Sequence, residues 1–510
     1  MDKMKEETRI FLAFLISIII IFTFSKYQAS KYRQLQPVQN ERKQVSETSE
    51  IKKISSEKTI PIGEKFDFEN EYYYLKFDKL GGYIDEIGLK KFLRKNEKFF
   101  PLNEKNVFFL NEEFIDNQEF KLEIKKDSVI LTKEFQGVSL SKEYVIPSKD
   151  YIFLYTEKIK NKQKDRKFDK YTLNIMKIDM KNLSSQREYI PPKIILSINK
   201  LPVFLDPHRI KEEKIYKNCR WVGLNLKYSL IFVYLPEKSI VSVYPEDGYI
   251  NIKLSNDDFI LKEGEEKTIT FKFYAGPSDY FVARNYIKED IFGRGFFVTI
   301  GRFLFSVLNV IHNLVPNWGW AIIILTFIIK ILFFPLTKKS LKSMNQLQKL
   351  RPYLQDMQKK YKDNPQQLQK ELMNIYKEYN INPFAGCLPT IIQIPIFIGF
   401  FLALRNSIFL RGAHFILWIK DLSMPDTVFK IGQFPVNILP ILMTISSYFQ
   451  QKLTPTTDPS QKSLTVLMPL MFLFILYNFP SGLLLYWVSM NIGSLIEQIL
   501  ISRKKTLKKI

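Results

Sequence analysis

Apolar and polar positions change their spacing several times along the 510 residues, and each change marks a different kind of element. Residues 10–24 are apolar except for Ser17 and Thr23, and a basic start precedes them. At about 1.5 Å per residue this run is short for a ~30 Å hydrocarbon core, so its flanks must help it span. No small-x-small cleavage site follows, so residues 1–30 are expected to be an uncleaved signal-anchor. Residues 31–60, rich in Gln, Ser, Lys and Glu, cannot bury enough apolar surface to offset their ordering entropy and read as a flexible linker. From about Phe66 to Tyr280 the period becomes two. In KTITFKF (267–273), Ile269, Phe271 and Phe273 fall on one face and Thr268, Thr270 and Lys272 on the other. Many such runs, cut by polar turns, predict an all-β sandwich over residues 61–280.

Beyond Gly276-Pro277 the chain is largely apolar. Residues 286–315 mix polar and aromatic positions at helical spacing and read as a helix lying along a membrane interface. Five hydrophobic stretches follow, at about 318–336, 386–404, 435–449, 464–479 and 482–500. With the anchor they predict six spans, and a membrane core over residues 281–510. The loop 338–380 carries ten Lys/Arg against four acids, and the tail adds Arg503, Lys504, Lys505, Lys508 and Lys509. By the positive-inside rule this loop, this tail and both termini are cytoplasmic, and the β domain lies outside. The outer loop with Arg405, Arg411, Lys420 and Lys430 fits that assignment least well.

Within the basic loop, Leu341, Met344, Leu347, Leu350, Leu354, Met357 and Tyr361 form one helical stripe, with Pro352 as a potential kink. Asn364-Pro365 is a helix start, and Leu368, Leu372, Ile375 and Tyr379 form a second stripe. The pair predicts an antiparallel helical hairpin over 338–380. Its basic residues Lys342, Lys349, Arg351, Lys359, Lys360 and Lys362 have two readings: a solvated face that obeys the topology rule, or a docking arm for a ribosome or nascent chain.

Charge sharpens this picture. The net +23 suggests a polyanionic partner at first sight, but residues 281–510 hold 26 Lys/Arg against 10 acids, concentrated in the loop and tail. Nearly half of the net charge therefore sits at one membrane face rather than forming a general polyanion signal. Lys330 lies midway along its span, eight residues before Lys338, too deep for easy snorkelling. Such residues usually face a bundle interior or water. Thr326 is one turn earlier on the same face, and Gln393 is a second polar group at depth. Both could equally be hydrogen-bonded glue between helices. No acid lies deep in any span, with Glu497 near the inner end, so Lys330 is expected in water rather than in a buried ion pair. Such a pocket suits a hydrophilic or acidic peptide segment. His208, His312 and His414 are scattered without metal-ligand spacing, and no Walker loop, GxGxxG or GxSxG occurs. Neither catalytic nor metal-binding residues are predicted.

Three motifs, NWGWAIIILTFIIKILFFPLTKKS (317–340), NPFAGCLPTIIQIPIF (382–397) and FPSGLLLYW (479–487), resemble those of the YidC membrane protein insertase family, whose relatives include mitochondrial and chloroplast insertases. FYAGP (273–277) and WVG (221–223) resemble the periplasmic domain of the Gram-negative form, so the resemblance covers essentially the whole chain. It implies a polytopic α-helical protein of the bacterial inner membrane with a five-helix core and a β super-sandwich periplasmic domain. The core would enclose a hydrophilic groove open to cytoplasm and lipid. It implies groove positions at Thr326, Lys330, Gln393, Tyr486 and Trp487, although ordinary packing also accounts for the last two. Lys330 replaces a frequent Arg, keeping the charge without the guanidinium fork, and Ala385 stands where many relatives have Gly. The implied function is insertion of nascent membrane proteins into the bilayer, alone or with the Sec translocon, with the ribosome at the hairpin and tail. No cofactor, no enzyme activity and no DNA partner are implied. The rival readings are a transporter or channel with an extracellular binding domain, which commonly carries internal repeats that are not evident here, and an anchored β-domain enzyme, which would leave five spans unexplained.

Overall fold

The computed structural model describes residues 63–506, apart from positions 95, 103–106, 112–117, 164–165, 169–171, 182–191, 237–238, 256–258, 294, 362–363, 380–387, 406 and 454–460. The expected anchor and linker lie outside the described residues. Alternating sequences form the expected strands. In Glu266–Pro277, Ile269, Phe271 and Phe273 are buried while Thr268, Thr270 and Lys272 face solvent. Among the described residues there are two nine-stranded sheets. One has Thr172–Asp179 between Val107–Leu110 and Tyr249–Ser255, and the other has Glu266–Pro277 between Ser229–Tyr234 and Ile152–Asn161. Their inner faces share one apolar core, in which Phe109 of the first sheet stacks on Tyr155 of the second with ring centroids 4.5 Å apart. Such aromatic pairs add roughly 0.5–1.5 kcal/mol beyond area burial.

The helical part begins with α1 (Phe296–Leu314) and continues through α2 (Trp318–Lys349), α3 (Arg351–Lys360), α4 (Pro365–Glu378), α5 (Leu388–Arg405), α6 (Ile438–Leu453), α7 (Gln461–Leu476) and α8 (Ser481–Thr506). Helices α1, α2 and α8 are long and apolar enough to cross a membrane. The first of these, which the sequence reading puts along an interface, packs one face on α5. A Cβ at Gly301 would lie 2.3 Å from the Gly399 carbonyl oxygen, so α1 and α5 touch backbone to backbone, as small residues permit in membrane bundles. Its other face is exposed and mixes Phe296, Phe303, Val310 and Leu314 with Ser306, Asn309 and Asn313.

Two boundaries differ from the sequence pattern. The second span and the first arm of the basic hairpin are one 32-residue helix, because α2 continues through Pro335 and stops only at Leu350, before Pro352. The apolar stretch assigned to 435–449 begins too early: Phe434–Asn437 pairs with Thr427–Ile431 in a β-hairpin whose Val428, Phe429, Ile431 and Phe434 are exposed.

The segment after α5 ties the bundle to the sandwich. The Arg411 guanidinium donates to both Glu97 carboxylate oxygens (2.7 and 2.8 Å) and to the Phe92 carbonyl (2.7 Å), and lies 4.3 Å from the Phe100 ring centre. Arg94 donates to Asp421 at 2.8 Å. Bidentate, largely buried pairing of this kind is stronger than an exposed ion pair.

Within the sandwich, Lys142 is wholly buried and donates to the Gly81 carbonyl at 2.8 Å. Burial, aided by nearby Lys133 and opposed by Glu157, pushes its ammonium down to about 8. Above that value the folded chain holds fewer protons than the unfolded one, so this group adds stability as pH rises toward its unfolded value. Unfolding measured from pH 8 to 10 is expected to show wild type gaining on Lys142→Met, with a slope of up to about 1.4 kcal/mol per pH unit. The difference between the two proteins cancels Cys219 and the buried tyrosines, which act in the opposite sense at high pH.

Candidate functional site

A cavity of about 120 Å³ opens among α2, α5, α6 and α8, with a lining that includes Lys330, Thr337, Ser340, Met344, Gln393, Gln450, Ser494, Glu497 and Gln498. Along α2 this lining extends from Ile329 to Met344, roughly 22 Å of helix directed toward the hairpin. The opposite end, toward the sandwich, is dry: Ile322, Leu325, Phe400, Leu422 and Leu484 are buried in one apolar cluster. The cavity is therefore polar at one end of the bundle and sealed at the other.

Lys330 enters from α2 and lies across α8. Gly493 makes room for it: a Cβ there would meet the lysine stem 3.2 Å away. The stem carries Nζ to Ser494 Oγ (2.6 Å) and to Glu497 Oε2 (3.4 Å), and the Ser494 hydroxyl donates onward to the Met490 carbonyl at 3.0 Å. This corrects the expectation that Lys330 has no acidic partner. Glu497 is near the end of its span, but the four-carbon stem crosses the intervening turn once Gly493 lets it lie flat. The Glu497 side chain is 8% exposed, and its Oε1 has no hydrogen-bond partner among the described residues. One turn earlier on α8, Asn491 Nδ2 donates to Ser446 Oγ (3.0 Å) and Ser447 Oγ (2.8 Å) on α6, fixing the wall that carries Ser494 and Glu497.

The expected groove residues divide into two groups. Lys330 and Gln393 line the cavity. Thr326 is buried behind it, its hydroxyl donating to the Ile322 carbonyl of its own helix at 2.7 Å. Tyr486 is buried against Phe400 and Phe397, and Trp487 packs on Phe397 and Phe472 with centroids 4.7 and 5.2 Å away. These three sit in the apolar packing and do not line the cavity. Sequence reasoning missed Ser494, Glu497 and Gln498. Their signal was the spacing Asn491, Ser494, Glu497, Gln498, a polar stripe on one face of an apolar helix.

In the hairpin, Leu341, Leu347, Leu354 and Ile375 are buried and Lys342, Lys349, Lys359 and Lys360 are exposed, whereas Tyr379 is exposed beyond the end of α4. Asn364 Oδ1 accepts from the Gln367 amide at 3.1 Å, capping α4. The Arg351 side chain and Lys362 lie outside the described residues.

The family described as 60Kd inner membrane protein matches residues 310–509. A relative from Endomicrobium trichonymphae, named membrane protein insertase YidC, is 41% identical over 297 residues, covering 56% of this chain and 56% of its own. The chain thus spans little more than half the length of that relative. One of the same name from Francisella philomiragia is 31% identical over 440 residues, covering 78% of this chain and 75% of its own. A crystal structure described as active YidC insertase with its first transmembrane domain resolved aligns at 17% identity and TM-score 0.41, covering 86% of this chain and 93% of its own.

The glycine beside Lys330 provides a direct check on the geometry. Gly493→Val is expected to force the stem off α8 and expose its ammonium, whereas Gly493→Ala requires only a small shift. Labelling with an amine-reactive reagent, read by mass spectrometry against exposed Lys342, should show Lys330 protected in wild type and Gly493→Ala but reactive in Gly493→Val. Equal labelling in all three would contradict the packing.

Proposed function

The chain belongs to the family of YidC membrane protein insertases, proteins of the bacterial inner membrane, and on that premise we propose that the cavity beside Lys330 receives the polar part of a nascent membrane segment and releases the segment sideways into lipid. The observation that carries this reading is a cavity sunk among apolar helices and sealed at its sandwich end, whose wall carries the Lys330–Glu497 pair together with Gln393, Gln450 and Ser494. A lone lysine at mid-bilayer costs about 2.5–3.5 kcal/mol even on insertion scales. A wall that solvates that ammonium also solvates a hydrophilic stretch of substrate, lowering the desolvation barrier that opposes its passage. Burial of the substrate's apolar residues in lipid then drives release.

The remaining assignments follow from charge. The basic loop and tail lie in the cytoplasm and the sandwich in the periplasm. The exposed Lys342, Lys349, Lys359 and Lys360 support a hairpin that meets the ribosome as a polyanion, with Arg351 and Lys362 adding to the same basic run. Insertion proceeds alone or with the Sec translocon as a partner.

Lys330→Ala is expected to reduce insertion of single-span substrates with acidic tails several-fold in reconstituted liposomes, and Lys330→Arg to restore it. A photo-crosslinker at Gln393 should capture a stalled nascent chain, whereas one at Tyr486, behind the wall, should not. Normal insertion of every substrate by Lys330→Ala, together with no crosslink from Gln393, would overturn this reading.

A further inference from the structure

The Lys330–Glu497 pair is incomplete on both sides. An ammonium has three donors, and Lys330 places one on Ser494 and one on Glu497. A carboxylate accepts at both oxygens, and Glu497 Oε1 has no hydrogen-bond partner among the described residues although the side chain is more than nine-tenths buried. Both residues line the cavity. The pair therefore carries no net charge, and while Lys330 keeps a spare donor, the second carboxylate oxygen of Glu497 is wholly enclosed. Loss of either partner would leave the other charge buried and uncompensated.

We propose that Glu497 sets the charge preference of the cavity: its pairing with Lys330 tempers the attraction for acidic segments and removes the repulsion of basic ones, so that both kinds of polar segment are taken. This rests on the insertase reading of the same cavity. An acidic side chain reaches the spare donor of Lys330 and competes with Glu497. A lysine or arginine meets a pair with no net charge. A cavity with Lys330 alone would repel such residues.

The test reconstitutes the full chain in liposomes with three single-span substrates that differ only in the tail to be translocated, carrying three aspartates, three lysines or three serines. Measured relative to the serine tail in the same protein, Glu497→Gln is expected to raise insertion of the aspartate tail at least threefold and to lower that of the lysine tail at least threefold. Glu497→Asp keeps the negative charge but withdraws it from Lys330. It should raise the aspartate tail while retaining the lysine tail, which keeps the test decisive if the glutamine variant folds poorly. A merely structural Glu497 would change all three tails alike, and that result overturns the proposal while leaving the insertase reading intact. Failure of wild type to insert any tail above protein-free liposomes overturns both.

Discussion

One ammonium group in an apolar helix sets the terms for the middle of the bundle. Lys330 must be solvated or paired, because the surrounding helices offer nothing else to a charge. Gly493, Ser494 and Glu497 on α8 and Gln393 on α5 supply the compensation, and Asn491 holds that part of α8 in place by its bonds to α6. Replacing the charge by leucine would make most of these side chains unnecessary. Their polar atoms would then be the liability, as buried groups without partners.

Much of this arrangement was legible in the amino-acid order. Strict alternation over residues 267–273 survives into the structure residue by residue, because a sheet with one buried face leaves little freedom of register. Helix existence was equally clear from apolar runs. Boundaries were less so: the second span and the first hairpin arm read as separate elements, yet α2 runs through Pro335 as one helix. It ends just before Pro352, which lacks the amide that would continue the ladder. The site was half legible. Lys330 and Gln393 stood out as polar residues in apolar runs, but their partner was hidden by linear depth. Glu497 looks peripheral when counted along α8, and only the length of the lysine stem and the missing Cβ of Gly493 bring the two charges within 3.4 Å. Thr326 and Tyr486 illustrate the reverse error, since the correct helix and approximate depth still leave a side chain behind the wall.

The sandwich is joined to the bundle by chemistry unlike that of the cavity. Arg411 satisfies Glu97 bidentately and stacks on Phe100, while Arg94 holds Asp421. Arg411, one of the cations that fit the charge-based topology least well, is committed to a local structural pair. Its charge therefore says little about which side of the membrane it occupies, because it is neutralised where it stands.

Continuity of α2 has a mechanical consequence. Lys330 and Lys349 share one rod, so a push or twist on the outer arm becomes a displacement of the ammonium, with no loop between to absorb it. The only softened point on that path is Pro335, where one backbone hydrogen bond is missing. Leverage applied at the arm would thus be shared between a bend at Pro335 and a shift of Lys330 against Glu497, without unfolding anything.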